Sequence, residues 1–210
     1  MANILVFGAS IAQGYYDREG GWVDRLKRYF LEQGIIHNWE PSVNVFNLAI
    51  SGDTTDEVLS RIKKETPQRV RSRHEILFIF EIGLNDSIII NGKPKVSENK
   101  FKTNLSEIFK YCREYSTKII FLGLTQVDET KVTPMPWSPT EFWYNERIKK
   151  YDGILKKYCI ENKLNYIEMS DLFNRPNYKK YLDDGGHPNT KGHKLIFEIV
   201  KNFLEEKKYI

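Results

Sequence analysis

The stretch that decides the fold is Asn3-Ile4-Leu5-Val6-Phe7-Gly8-Ala9-Ser10. Its four consecutive apolar residues end at a glycine and a small polar residue, which is typical of a strand that is buried on both faces. A glycine allows the backbone to turn sharply where a strand ends, so Ser10 can stand at the carboxyl edge of the strand with its side chain free. The alternative is an ordinary strand-to-helix turn in which Ser10 only caps a helix.

Strand and helix patterns alternate along the rest of the chain. Further strands are predicted at 43–48, 76–82, 119–122 and 165–168. Helices are predicted at 21–33, 55–64, 97–115, 144–162 and 189–206. This alternation predicts an α/β fold, with an open and mainly parallel sheet that has helices on both faces. In such sheets the functional residues gather at the carboxyl ends of the strands.

Local signals mark the ends of several elements. Gly34 is predicted to end the first long helix, and Thr54 with Glu57 three residues later fits a capping box at the start of the second. Residues 11–20 are predicted to form a polar, glycine-bearing loop. Residues 126–141 are predicted to be irregular because this segment contains three prolines.

Length and composition favour one globular domain. The 210 residues are enough for a full hydrophobic core in a single domain, 1–210, and 40% of them are hydrophobic. The net charge is only +4, from 32 Lys and Arg against 28 Asp and Glu, and the lysines are scattered. Nucleic-acid binding needs concentrated positive charge, so we do not expect a nucleic-acid partner.

The two cysteines and the N-terminal segment do not predict a metal site or a signal peptide. Cys112 and Cys159 lie at apolar positions of predicted helices, without a Cys or His at metal-ligand spacing, and are predicted to be small core residues. No basic region followed by an apolar stretch and a cleavage site precedes the first strand. No run approaches the roughly 18 apolar residues that would cross a bilayer. We therefore expect a cytoplasmic protein without a membrane span.

Four polar segments stand at positions where the predicted strands end or the last helix begins. They are Gly8-Ala9-Ser10, Ser51-Gly52-Asp53, Gly83-Leu84-Asn85-Asp86 and Asp184-Gly185-Gly186-His187-Pro188-Asn189. In order and separation they resemble the four blocks of the SGNH hydrolases, also called the GDSL esterase and lipase family. The resemblance covers nearly the whole chain. It implies a three-layer α/β/α fold with a mainly parallel, flavodoxin-like five-stranded sheet.

The residue types in these blocks suit nucleophilic catalysis. A serine hydroxyl is a poor nucleophile at neutral pH and needs a neighbouring base, for which His187 is the candidate. Asp184, three residues earlier, is near enough in sequence to hold the other ring nitrogen and to stabilise the imidazolium. Ser10, His187 and Asp184 are thus the predicted catalytic residues. By resemblance, the oxyanion hole consists of the backbone N–H groups of Ser10 and Gly52 and the side-chain amide of Asn85.

One position departs from the family pattern. Ala9 stands where the family motif has aspartate. Ala9 neither attacks the substrate, nor moves a proton, nor orients the base, so we expect activity to survive this change. The Gly-x-Ser-x-Gly turn of the α/β-hydrolases does not occur in the sequence.

Taken singly, each of these residues has an ordinary structural interpretation. Asp184 and His187 could form a surface turn, and Asn85 could be a loop residue that tolerates unusual backbone angles. Asp86 is interpreted as structural, and His193 as a packing or solvent-facing residue rather than a catalytic one. The joint occurrence of all four blocks favours the catalytic interpretation.

The leading functional hypothesis is a serine esterase that acts on a small or medium acyl ester through an acyl-enzyme and needs no metal or organic cofactor. A carbohydrate O-deacetylase, a thioesterase or an acyltransferase would use the same residues. The aromatic loop 126–144 could wall the acyl or alcohol pocket, or it could be a packed surface loop. No long apolar lid of the kind expected for a lipase with interfacial activation is present.

A nucleotide-binding domain is the less favoured alternative. The first strand and its glycine resemble the start of a dinucleotide-binding unit, but the next glycine after Gly8 is Gly14, so Gly-x-Gly-x-x-Gly is not met. A binding protein that has lost the reaction is also disfavoured, because Ser10, Asn85, Asp184 and His187 are all present.

Overall fold

The computed structural model describes residues 1–40, 42–169 and 177–209. The strands are β1 (Ala2–Gly8), β2 (Val43–Asn47), β3 (Glu75–Glu81), β4 (Ile89–Ile90), β5 (Lys93–Pro94), β6 (Lys118–Leu122), β7 (Glu141–Phe142) and β8 (Asn165–Ile167). The α-helices are α1 (Ser10–Gln13), α2 (Gly21–Ile36), α3 (Thr55–Glu65), α4 (Glu98–Cys112), α5 (Glu129–Val132), α6 (Asn145–Glu161) and α7 (Thr190–Glu206). None of the helices within these ranges is long and apolar enough to cross a membrane.

The main sheet is parallel and has the strand order β2-β1-β3-β6-β8. Val6 in the middle of β1 lies opposite Asn47 of β2 on one side and opposite Ile79 of β3 on the other. The chain therefore proceeds outward from β1 in both directions, and the crevice at the carboxyl ends of β1 and β3 is where open α/β sheets bind ligands. The predicted fold, a flavodoxin-like sheet of five strands between helices, is confirmed.

The core lies on both faces of this sheet. Phe7, Phe80 and Phe121 from β1, β3 and β6 stack side by side, with ring centroids 5.8 and 4.8 Å apart. On one face α2 packs against α7, and on the other α4 packs between α3 and α6. Cys112 and Cys159 are fully buried in this core, as predicted.

The start of α3 is fixed by two sets of hydrogen bonds. The Thr54 hydroxyl accepts from the N–H of Asp56, and the Glu57 carboxylate accepts from the N–H of Thr54 at 2.7 Å, which confirms the predicted capping box. Asp86 is fully buried and accepts from both the N–H and the hydroxyl of Thr55. Burial raises the pKa of Asp86 to about 6. Its contacts are those of the structural residue that the sequence predicts.

The predicted end of α2 at Gly34 is wrong, because the helix continues to Ile36. Gly34 instead allows a close approach, since a Cβ at this position would lie 2.6 Å from the ring of Trp39. The N–H of Trp39 also donates to the carbonyl of Gly34. The glycine thus accommodates an indole and does not stop the helix.

The two segments predicted as loops contain short regular elements. The first begins with the single helical turn of α1, and the second contains α5 and ends at β7. β7 pairs with β4, and β4 with β5, in a second, antiparallel sheet of order β5-β4-β7. Each of these strands has two residues, which is too few for an alternating pattern to be visible in the sequence.

The buried centre of the sheet gives a stability prediction. Ile79→Ala removes a fully buried side chain from β3 and is expected to lower the free energy of unfolding by about 3 kcal/mol. The same substitution at Ile160, which is 67% exposed on α6, should change it by less than about 0.5 kcal/mol. Urea unfolding of both variants measures the difference. Equal effects of the two substitutions would contradict the burial that the structure assigns to β3.

Candidate active site

The candidate site begins at the turn between β1 and α1. Ser10 is the first residue of α1, two positions after β1 ends at Gly8. A Cβ on Gly8 would lie 2.6 Å from the Cβ of Ala12 and 2.9 Å from the carbonyl oxygen of Glu81. Glycine is therefore required because α1 and β3 approach the backbone closely here. This packing places Ser10 at the carboxyl edge of the sheet.

Ser10 is hydrogen-bonded to a residue 177 positions away in the sequence. Its Oγ lies 2.8 Å from Nε2 of His187, and each of the two residues is only 6% exposed. On the other side of the ring, Nδ1 of His187 lies 2.7 Å from Oδ2 of Asp184. An ionised carboxylate only accepts hydrogen bonds, so Nδ1 carries the proton. In the neutral ring Nε2 is then the acceptor for the Ser10 hydroxyl.

Asp184 fixes both the ring and the backbone of its own turn. While Oδ2 accepts from the ring, Oδ1 accepts from the N–H groups of Gly186 at 2.9 Å and His187 at 2.8 Å. An aspartate that accepts from the backbone N–H two residues further on forms a local turn, which needs no partner from elsewhere in the chain. The N–H of Asp128 also donates to the carbonyl of Gly185 at 2.7 Å and anchors the turn to the segment before α5.

The hydrogen bonds of Asp184 determine its ionisation. Burial alone would raise the pKa of this carboxyl group, but the hydrogen bonds from the side chain and backbone of His187 outweigh burial and lower the pKa to about 2. The carboxylate is therefore ionised at neutral pH. The negative charge of Asp184 lies directly beside Nδ1 of His187.

Asn85 and Gly52 lie beside Ser10. The side-chain amide of Asn85 donates one hydrogen to the carbonyl of Asp53 at 2.9 Å, which orients the group and leaves its second hydrogen for another acceptor. Gly52, in the turn before α3, lines the same cavity as Ser10 and Asn85. The structure thus brings all of the predicted site residues together in one place.

A cavity of about 350 Å³ opens in front of Ser10 and His187. Four aromatic side chains surround the His187 ring at centroid distances of 5.4 to 6.0 Å: Tyr15, Tyr16, Trp137 and Trp143. Lys95 and Glu141 add one charge of each sign to the lining. The wall therefore combines four Tyr and Trp rings with one basic and one acidic side chain.

The loop 126–144 forms part of this wall. Trp143 is buried and its indole N–H donates to the carbonyl of Leu84, next to Asn85, at 3.2 Å. Trp137 is half exposed at the cavity, and Met135 lies beside it. The loop therefore lines the cavity, and its role as the wall of an acyl or alcohol pocket stays a prediction.

Two tyrosines of the wall were missed by sequence reasoning. Tyr15 and Tyr16 lie just after α1 in the segment predicted only as a polar loop. His193 of α7 is fully buried and its Nε2 donates to the carbonyl of Tyr15 at 2.8 Å, while burial lowers its pKa. His193 is a packing residue, as interpreted from the sequence, and the signal that pairs it with Tyr15 is visible only in three dimensions.

The fold matches that of solved lipases, acylhydrolases and esterases. A lipase/acylhydrolase from Enterococcus faecalis aligns with a TM-score of 0.75 and 24% identity, over 99% of this chain and 97% of that chain. The psychrotrophic esterase EstA from Pseudoalteromonas sp. aligns with a TM-score of 0.72 and 18% identity over 100% of both chains.

The sequence identifies the family directly. The model of the GDSL-like Lipase/Acylhydrolase family matches residues 6–195, and the chain belongs to this family. The resemblance to the SGNH hydrolases is therefore confirmed. The uncharacterized lipoprotein YqeF of Bacillus subtilis (strain 168) is 28% identical over 134 residues, which are 60% of this chain. The match covers 50% of the length of that relative.

The lowered pKa of Asp184 predicts part of the acid sensitivity of the fold. A carboxyl group whose pKa falls from 3.8 to about 2 on folding stabilises the folded state above pH 4, and this contribution is lost as the pH falls towards 2. The wild type should lose about 2 kcal/mol of unfolding free energy through this group between pH 5 and pH 2. In Asp184→Asn this part of the acid-dependent loss of unfolding free energy should be missing.

Urea unfolding at a series of pH values measures this difference. The exposed neighbour Asp183 provides the control, since Asp183→Asn should retain the acid slope of the wild type. The same acid loss in Asp184→Asn as in the wild type would show that the hydrogen bonds of Asp184 do not stabilise its ionised form.

Proposed function

We propose that the protein is a serine hydrolase that cleaves carboxylic esters through an acyl-enzyme on Ser10, as a single catalytic domain over 1–210. The observation that carries this proposal is the continuous chain of hydrogen bonds from Ser10 Oγ through His187 to Asp184, at 2.8 and 2.7 Å. Membership of the acylhydrolase family supports it.

The reaction follows from the proton positions in this chain. As Ser10 Oγ attacks the carbonyl carbon of the ester, Nε2 of His187 takes the hydroxyl proton and Asp184 stabilises the resulting imidazolium. His187 then gives the proton to the leaving alcohol, and the acyl group remains on Ser10. In the second step His187 takes a proton from water, which attacks the acyl carbon. The bond from this carbon to Ser10 Oγ then breaks, His187 returns the proton to Oγ, and the acid is released.

We assign three donors to the oxyanion that forms during each attack. The N–H of Ser10 is in the first turn of α1, where the helix itself supplies no acceptor. The second amide hydrogen of Asn85 and the N–H of Gly52 complete the set. Fixed donors of this kind stabilise the developing charge without reorganising during the reaction.

The cavity supports a small or medium acyl ester as substrate. Its volume of about 350 Å³ is near the lower end of the usual range for small-molecule sites. A second candidate is an acylated carbohydrate, which is favoured by the half-exposed rings of Tyr15, Tyr16 and Trp137 at the cavity. These rings offer flat apolar surfaces against which the C–H face of a sugar can pack.

Hydrolysis of p-nitrophenyl esters from acetate upward tests the proposal. Ser10→Ala should lower kcat at least about 10³-fold, because the nucleophile is removed, while thermal unfolding stays close to that of the wild type. Ser60→Ala, on the exposed side of α3, is the matched control and should keep wild-type activity. Wild-type turnover by Ser10→Ala would reject the assignment. The chain-length optimum reports the size of the acyl pocket.

Asn85→Ala tests the oxyanion donor separately. It should lower kcat by about 10²- to 10³-fold with little change in KM, because the lost hydrogen bond forms with the transition state. Asn99→Ala, on the exposed face of α4, is the control. A raised KM with an unchanged kcat would instead show that Asn85 acts in ground-state binding of the substrate.

A further inference from the structure

Glu81 is a buried acid at the site that the proposed reaction does not use. It is the last residue of β3, 8% exposed, and lies opposite Gly8 in the register of β1 and β3. Its Oε2 accepts from the N–H of Ala12 at 3.1 Å, and the N–H of Ala9 also hydrogen-bonds to this carboxyl group. No cation pairs with it among residues 1–40, 42–169 and 177–209, and a buried carboxyl group without a cation requires a structural or functional reason.

The hydrogen bonds of Glu81 are those of a helix cap. In α1, Ala9 is the N-cap and Ala12 is the third helical residue. A polar N-cap side chain normally accepts from the N–H of the second or third helical residue, and a capping box also satisfies the N–H of the N-cap. Ala9 has no acceptor on its side chain. Glu81 therefore supplies, from a neighbouring strand, the hydrogen-bond acceptor that the side chain of Ala9 lacks.

Ala9 and Glu81 line the same small cavity. A cavity of about 10 Å³ is lined by Ala9, Ser10, Glu81 and Asn85, and by Asp53 from the turn before α3. An acidic side chain at position 9, where the family motif has aspartate, would lie next to the Glu81 carboxyl group. Two acids in one buried space each disfavour the ionised form of the other, so one acid is accommodated more readily than two.

We propose that Glu81 is the positioning residue of the nucleophile turn: it caps α1 in place of an acidic residue at position 9 and holds Ser10 within reach of His187. This inference rests on the proposed role of Ser10 as nucleophile. Its physical basis is separate, because the contacts of Glu81 are with the backbone of α1 and not with the cavity that would hold substrate.

Glu81 is mainly protonated at neutral pH, and the neutral carboxyl group still accepts hydrogen bonds. Burial raises its pKa to about 8, against the opposing effect of the N–H groups of Ala12 and Ala9. The other ionisable group on the same small cavity is Asp53, whose carboxylate is paired with Arg61 of α3 at 2.8 Å. Within the described part of the chain, Glu81 is thus set between backbone donors and an acid that already has its own cation.

Three variants distinguish a capping role of Glu81, as a hydrogen-bond acceptor, from a role in packing alone. Glu81→Met keeps a similar volume but removes the acceptor, whereas Glu81→Gln keeps an acceptor oxygen. Ala9→Asp combined with Glu81→Ala moves the single acid to the N-cap. We expect kcat on the best p-nitrophenyl ester to fall at least about tenfold in Glu81→Met, with KM within about twofold of the wild type. Glu81→Gln and the double variant should stay within about threefold of the wild-type kcat.

Hydrogen exchange at the Ala12 amide gives a readout that does not depend on esterase activity. Exchange should be at least about tenfold faster in Glu81→Met than in wild type or Glu81→Gln, because only the Met variant leaves this N–H without its acceptor. If the wild type hydrolyses no ester, the proposed function fails while this measurement still tests the cap. Unchanged kcat and unchanged Ala12 exchange in Glu81→Met would overturn the inference.

Discussion

The pairing of β1 with β3 at their carboxyl ends is the constraint on which the site depends. Gly8 lies opposite Glu81, and the space between the strand ends admits no side chain at Gly8. Because both strands end at the same level, Ser10 and Asn85 emerge side by side in the crevice where the strand order diverges. The distance between the Ser10 side chain and the Asn85 amide is thus set by backbone hydrogen bonds in the sheet.

The second half of the site is tied to the first through the end of the chain. Asp184 accepts hydrogen bonds from the backbone of its own turn and from the ring of His187, so the imidazole is held in one orientation. From α7, His193 bonds the carbonyl of Tyr15, which belongs to the loop directly after the Ser10 helix. His187, through Ser10, and His193, through Tyr15, therefore both contact the segment that follows β1, and the alignment does not depend on a single contact.

The sequence predicts those features that are local or strongly repetitive. Continuous apolar runs predict the central strands, and Thr54 with Glu57 predicts a cap that the structure contains. The four blocks predict which polar residues meet. Gly34 misleads because the same residue type serves helix ends and close contacts, and only the position of Trp39 distinguishes the two. The role of Glu81 is hidden for a similar reason, since an acid that ends an apolar strand has no local partner in the sequence.

The absence of an acid at position 9 is explained by what the helix requires. The first turn of α1 needs an acceptor for its N–H groups, and hydrogen bonding does not specify which chain segment provides it. A carboxyl group on β3 meets this need as directly as one on the N-cap, because β3 is the immediate neighbour of β1. A motif defined along the sequence can therefore lose a residue while the arrangement in space keeps the same group. In this chain the acid is on the adjacent strand, and Ser10 remains 2.8 Å from His187.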